Sequence, residues 1–190
     1  RQEAQTVASY YHHPAVFVAE QATKQRIETG IERYDVLHFA LHCLVNERSP
    51  MNSKLLLAKP KSDEDDPGEA DEVLQAYEIY RLPLSRLRLV VLAACRSGVE
   101  RYYGGEGMVG ISRPFLAKGV PLVVATLWDA YSPATLELMT RFHRNRKLGH
   151  LPTSEALRQA QLSLLREPNS AYKQPYYWAT FESIGGYARF

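Results

Sequence analysis

Leu89-Val90-Val91-Leu92-Ala93-Ala94-Cys95-Arg96-Ser97-Gly98 is the stretch on which the reading of this chain turns. Its first six residues are apolar at every position, and a Ser-Gly pair closes it. An apolar run too short for a buried helix and ended by turn-forming residues reads as a strand covered on both faces. Such strands belong to parallel sheets lying between helical layers. In these sheets functional groups collect in the loops that follow the carboxyl ends of strands, and Cys95 is the first residue past the run.

Elements of the same kind recur on both sides. Residues 16–18 and Val36–Ala40 read as strands, with a helical stretch between them that places Ile27, Ile31 and Tyr34 on one face. Residues 55–58 form a third apolar run, a helix is expected over 71–80, and another over 106–118. A buried strand is expected over 122–127. Ser132-Pro133 supplies an N-cap and a first-turn proline for a helix with Leu136, Met139 and Phe142 inward. Pro152-Thr153-Ser154-Glu155 opens the next helix, with Leu157, Ala160 and Leu164 inward, and residues 176–184 are aromatic and strand-like. The alternation predicts an α/β fold, a three-layer α/β/α sandwich with a mainly parallel central sheet.

The 190 residues, 45% hydrophobic and 23% charged, suffice for one domain with a sizeable core. This composition excludes extensive disorder, collagen-like repeats and a disulfide-stapled miniprotein. The longest apolar run is too short to span a bilayer and no leader-like segment opens the sequence, so a cytoplasmic protein without membrane contact is expected. Net charge is +2, yet seven of the 21 acidic residues lie between Asp63 and Glu72. The remainder sets 23 basic against 14 acidic residues, a surplus of nine. Residues 59–70, rich in charge with Pro60, Pro67 and Gly68, read as a flexible acidic loop.

Two strand ends carry reactive groups. His42 leaves the strand at 36–40, and Cys95 holds the equivalent point after 89–94. If the two strands are neighbours in a parallel sheet, an imidazole and a thiol face each other across one edge. That pairing is what thiol catalysis needs: the thiolate attacks, and the histidine lowers its pKa and later protonates the leaving amine. His42 precedes Cys95 by 53 positions, and Ala94-Cys95-Arg96 resembles the caspase signature, whose histidine lies about 50 residues upstream. Here the signature's Gln-Ala-Cys is Ala93-Ala94-Cys95, and Gly98 stands one position later than its glycine, so the chain is not a caspase proper.

The stretches 36–43 and 89–98 are joined by Gly104-Gly105-Glu106-Gly107 with Phe115-Leu116, then by Ala125-Thr126-Leu127-Trp128. Glu155-Ala156-Leu157-Arg158 with Ala160-Gln161 follows, and then Pro175-Tyr176-Tyr177-Trp178-Ala179. In this order the motifs resemble the CHAT domain, a caspase-like module related to caspases and separase and often attached to tetratricopeptide repeats. The resemblance runs from about Val16 to the C-terminus. It implies a caspase-like fold and cysteine endopeptidase activity on a protein substrate, with His42 and Cys95 as catalytic residues and no metal or organic cofactor. It also implies that residues 1–190 are the C-terminal, catalytic part of a longer polypeptide, restrained by a regulatory partner such as a tetratricopeptide-repeat region. In related proteases the amide after the histidine and the amide of the nucleophile form the oxyanion hole, here Cys43 and Cys95. The family has glycine where this chain has Cys43, a change that matters if the position needs positive φ. The rival reading is a catalytically silent caspase-like module that binds protein partners.

Other features carry alternatives. Asp129 follows the 122–127 strand and either lines a substrate pocket favouring a basic side chain or caps a helix or braces a loop. Gly105-Glu106-Gly107-Met108-Val109-Gly110 matches a dinucleotide fingerprint, but nine residues separate it from the preceding cysteine, where the fingerprint needs a glycine directly after a strand. Zinc needs three or four converging ligands, and His38, His42, Cys43 and Cys95 offer no dependable fourth. His38 reads instead as a core histidine with a backbone partner, and His12-His13 as surface. Arg141, Arg144, Arg146 and Lys147 favour a helix C-terminus rather than nucleic acid, because aromatic interleaving is missing. Trp128 and Trp178 are expected as core anchors.

Overall fold

A computed structural model describes residues 1–59, 72–94, 97–98, 101–103, 107–168 and 171–186, with 101–103 and 107–109 described by backbone alone. Its centre is a four-stranded sheet of β1 (Val36–Ala40), β5 (Leu89–Ala93), β8 (Leu122–Thr126) and β9 (Phe181–Gly185), in that order. The first three strands run parallel and β9 antiparallel to β8. Every residue of β5 and β8 is buried.

Alternation explains why both strands are apolar throughout. Val90, Leu92, Val123 and Ala125 enter one core with Ile31, Leu55, Leu74 and Phe115. Leu89, Val91, Leu122 and Val124 enter the other, with Leu138, Met139, Phe142, Leu157, Ala160 and Leu164. The second core is covered by α1 (Gln2–Ala8), α5 (Ser132–Lys147) and α6 (Thr153–Arg166). On the opposite face lie α2 (Lys24–Glu28), α3 (Ala76–Ile79) and α4 (Arg113–Ala117). The architecture is therefore the expected α/β/α sandwich with a mainly parallel sheet. At the end of β9, Gly185 has φ +111°, and a Cβ there would stand 2.6 Å from the Pro121 carbonyl oxygen, so only glycine fits.

Several local expectations change. Residues 16–18 pair with no strand; they form one wall of a groove of about 950 Å³ whose other wall is the outer edge of β1. The run at 55–58 contributes to β3 (Lys54–Leu56), which joins β2 (Cys43–Leu44) and β4 (Val73–Gln75) in a small antiparallel sheet. The helix expected over 71–80 begins only at Ala76. Gln75 is its N-cap, and its amide donates to the Glu78 carboxylate at 2.8 Å in a capping box, while Val73 and Leu74 pair with β3. The helix expected over 106–118 is a hairpin of β6 (Arg101–Tyr103) and β7 (Gly107–Val109), followed by α4. Pro114 lies in the first turn of α4, where a missing amide costs nothing; inside a longer helix it would break one. In α5 the N-cap is Tyr131 rather than Ser132, and Leu138 replaces Leu136 in the buried stripe. The tail opens with α7 (Pro175–Trp178) before β9. The acidic stretch at 60–71 lies outside the described residues.

Candidate active site

Three consecutive parallel strands end at one edge of the sheet, and the chain continues from each toward a residue singled out in the sequence. His42 stands two residues beyond β1, in the link to β2. It is exposed, its carbonyl accepts the Leu56 amide at 2.9 Å, and its imidazole bonds no group among the described residues. Cys43 is buried and pairs with Leu55. Among the described residues only Ala19 and His150 combine a side chain with positive φ, so Cys43 replaces glycine without left-handed strain. Cys95, with Arg96, lies outside the described residues.

Ala94, Ser97 and Gly98 on either side of Cys95 are described, and they are tightly held. Ser97 and Thr126, the last residue of β8, are both fully buried. The Ser97 amide donates to the Ala94 carbonyl and to Thr126 Oγ1, each at 3.1 Å. Thr126 Oγ1 in turn donates to the Ala94 carbonyl. Ser97 Oγ donates to the Leu92 carbonyl at 2.7 Å and accepts the Thr126 amide at 3.0 Å. The Gly98 amide donates to the Thr126 carbonyl at 2.7 Å. Both hydroxyl protons are spent on carbonyls, and buried polar groups at the two strand ends are matched. Gly98 completes the fit, since a Cβ there would stand 3.1 Å from the Thr126 oxygen and 3.2 Å from Glu182 Oε1. Sequence reasoning had passed over this interlock; its one visible signal is a threonine ending an otherwise apolar strand.

Asp129 follows β8 on the same edge and is exposed. Its carboxylate makes no hydrogen bond or ion pair among the described residues, and no side chain caps α5, so the capping and bracing alternatives find no partner. Its carbonyl accepts the Tyr176 hydroxyl at 3.1 Å. Trp128 is not a core anchor. It is half-buried on this rim, donating from Nε1 to the Tyr176 carbonyl at 3.0 Å and stacking on the Tyr176 ring, with centroids 6.5 Å apart. Tyr176 and Tyr131 remain exposed beside it. Trp178 is also half-buried and packs against the second core.

Among the described residues no group of three His, Cys, Asp or Glu side chains could hold a metal ion. Gly107 lies in a hairpin strand rather than at a strand-to-helix turn, and 104–106 lie outside the described residues. No helix among the described residues is long and apolar enough to cross a membrane. His12 and His13 are exposed, as expected.

His38 has side-chain partners rather than a backbone one. Its Nε2 lies 2.8 Å from Glu3 Oε1 and its Nδ1 3.1 Å from His143 Nε2. His143 Nδ1 meets the Tyr11 hydroxyl at 2.8 Å, and Arg146 donates to that hydroxyl at 2.9 Å and to Thr153 Oγ1 at 3.1 Å. Arg146 can only donate and the carboxylate can only accept. With His143 neutral and its proton on Nε2, the polarity runs Arg146 to Tyr11 to His143 to His38 to Glu3. Burial pushes the His143 pKa well below the ordinary histidine range, with the neighbouring His38 and Arg146 acting in the same direction. Burial likewise raises Tyr11 and lowers Arg146, each against the attraction of the other.

A family model described as the CHAT domain matches residues 1–186. Tetratricopeptide repeat protein 28 of Mus musculus is 27% identical over 88% of this chain, and the Homo sapiens protein of that name is 26% identical over the same share. The chain spans 8% of the length of each. Two structures of the Saccharomyces cerevisiae separase–securin complex are similar over 60% of the chain and 7% and 8% of theirs, at 19% identity. Their TM-scores are 0.47 and 0.44.

Proposed function

Because this chain belongs to the CHAT domain family, we propose that it is a cysteine endopeptidase working through His42 and Cys95. The observation that carries the reading is a register. β1 pairs with β5 from Val36 with Leu89 to Ala40 with Ala93, a constant offset of 53 residues, and His42 and Cys95 are also 53 apart. Neighbouring strands in a sheet lie about 4.8 Å apart, and a continuation of this register by two residues would set His42 opposite Cys95, which supports the pairing.

In the proposed reaction His42 takes the Cys95 proton and the thiolate attacks the scissile carbonyl, forming the S–C bond. The amides of Cys43 and Cys95 hold the oxyanion. The C–N bond then breaks, the amine leaves with the proton held by His42, and a thioester remains. Water, deprotonated by His42, adds to the thioester and releases Cys95 with its proton. No step requires a metal or an organic cofactor. Asp129 would favour a basic side chain before the scissile bond.

The catalytic unit is proposed to be the C-terminal part of a longer cytoplasmic polypeptide, held in check by a tetratricopeptide-repeat region. The name of the relatives and the 8% of their length that the chain spans support the longer polypeptide and its repeats. An arginyl peptide acyloxymethyl ketone tests the enzyme reading. Labelling of Cys95 that His42→Ala abolishes, and that an aspartyl probe does not match, is the expected result. Absence of labelling with and without the repeat region would favour the silent interaction module.

A further inference from the structure

We infer that Thr126 is a positioning residue for the oxyanion hole, acting through the peptide group that joins Ala94 to Cys95. The inference rests on the Cys95 reading above and adds to it a residue on a different strand. The Ala94 carbonyl is held twice, by the Thr126 hydroxyl and by the Ser97 amide at 3.1 Å. A trans peptide is planar, with its C=O and N–H pointing in opposite directions. Whatever anchors the Ala94 oxygen therefore also sets the direction of the next amide, which is the proposed oxyanion donor on Cys95.

The anchor is itself rigid. Thr126 sits in a strand paired on both sides, to β5 and to β9. Its amide is tied to Ser97 Oγ at 3.0 Å, its carbonyl to the Gly98 amide at 2.7 Å, and its side chain is fully buried. A preorganised donor of this kind stabilises charge only as it develops in the transition state and needs no reorganisation then. Thr126 is proposed to act through this peptide group and not on the thiol, so its effect is confined to reactions that build an oxyanion.

That restriction gives the test. Iodoacetamide alkylation is a displacement at carbon: the S–C bond forms, iodide leaves, and no oxyanion is formed. With p-nitrophenyl acetate, Sγ adds to the carbonyl through a tetrahedral oxyanion, the C–O bond breaks, p-nitrophenolate leaves with the electron pair, and His42 holds the thiol proton. Both rates are measured on the same protein for wild type, Thr126→Val and Thr126→Ser, with near-UV circular dichroism to check folding. Thr126→Val is expected to acylate about 10²-fold more slowly while its alkylation rate and pH profile stay at wild type, and Thr126→Ser is expected to restore acylation.

Equal acylation by wild type and Thr126→Val would overturn the inference, as would a parallel loss of alkylation, which marks general damage. If Thr126→Val does not fold, the smaller Thr126→Ala carries the same comparison, and failure of both to fold assigns Thr126 a structural role instead. Failure of the dyad is read separately, as wild-type alkylation that His42→Ala leaves unchanged.

Discussion

At the carboxyl edge of the sheet, Ser97 and Thr126 spend their hydroxyls on backbone groups of two adjacent strand ends. Beneath α5, the polar side chains of Glu3, His38, His143, Tyr11 and Arg146 bond to one another, across 35 to 135 residues of sequence. The edge network is fully buried and the relay partly so, with His143 and Arg146 buried, yet the two fix different things. The edge interlock fixes the course of a turn and leaves the packing of helices to apolar contacts. The relay ties α1, the segment after it, β1, α5 and α6 to one another, and its hydrogen bonds involve neither His42 nor Asp129. Breaking the relay should therefore cost stability and spare the chemistry, and loosening the interlock should do the reverse.

Removing Arg146 is the harshest way to test that split. Arg146→Ala strips the Tyr11 hydroxyl and Thr153 of a charged donor in a buried site, and is expected to cost about 3 kcal/mol in urea unfolding. Cys95 alkylation, measured where the variant is folded, should not change. If alkylation falls in step with stability, the two networks are not separable.

The pH dependence of stability probes the same relay. His143 is neutral when folded, with its pKa depressed by burial, whereas the unfolded chain carries an ordinary histidine near 6.5. Below about pH 6.5 the unfolded state binds the extra proton, so stability falls as pH falls, by at most about 1.4 kcal/mol per pH unit for one such group. His143→Gln should flatten this part of the urea-midpoint profile. A profile unchanged by that substitution would show that His143 is not the group responsible.

Smaller effects are expected at the edge. Gly98→Ala places a methyl group 3.1 Å from the Thr126 oxygen, against backbone that has little room to move. It should cost about 1 kcal/mol and slow acylation about tenfold, a larger change in chemistry for its stability cost than Arg146→Ala produces. Asp129→Ala should leave the unfolding midpoint within about 0.5 kcal/mol of wild type, because the residue is exposed and its carboxylate has no described partner. Its proposed effect is on cleavage preference alone, so cleavage maps showing the same basic preference in both proteins would remove Asp129 from the pocket.

What the sequence made legible follows the same division. β5 and β8 were visible because parallel strands covered on both faces are apolar at successive positions, β1 because its residues other than His38 are apolar, and the long helices because their stripes repeat. The hairpin of β6 and β7 and the strand β4 span three residues each, too few to display a period, and their partners fix them. Residues 16–18 looked like a strand from local propensity, yet pairing needs a neighbour that propensity does not supply. His42, Cys95 and Asp129 could be singled out because each follows an apolar run. The relay could not, because its members are brought together only by the packing of α1 and α5 on the sheet. Ser97 and Thr126 lay between these cases: their positions at strand ends were readable, their mutual bonds were not.

The most direct test of the dyad is the rate of Cys95 alkylation by iodoacetamide against pH, in native protein and in His42→Ala, with mass spectrometry separating the Cys95 peptide from that of Cys43. A working dyad predicts rapid reaction with a midpoint well below the free-thiol value of about 8.5, and loss of that reactivity in His42→Ala. A midpoint at or above that value, the same in both proteins, would contradict it.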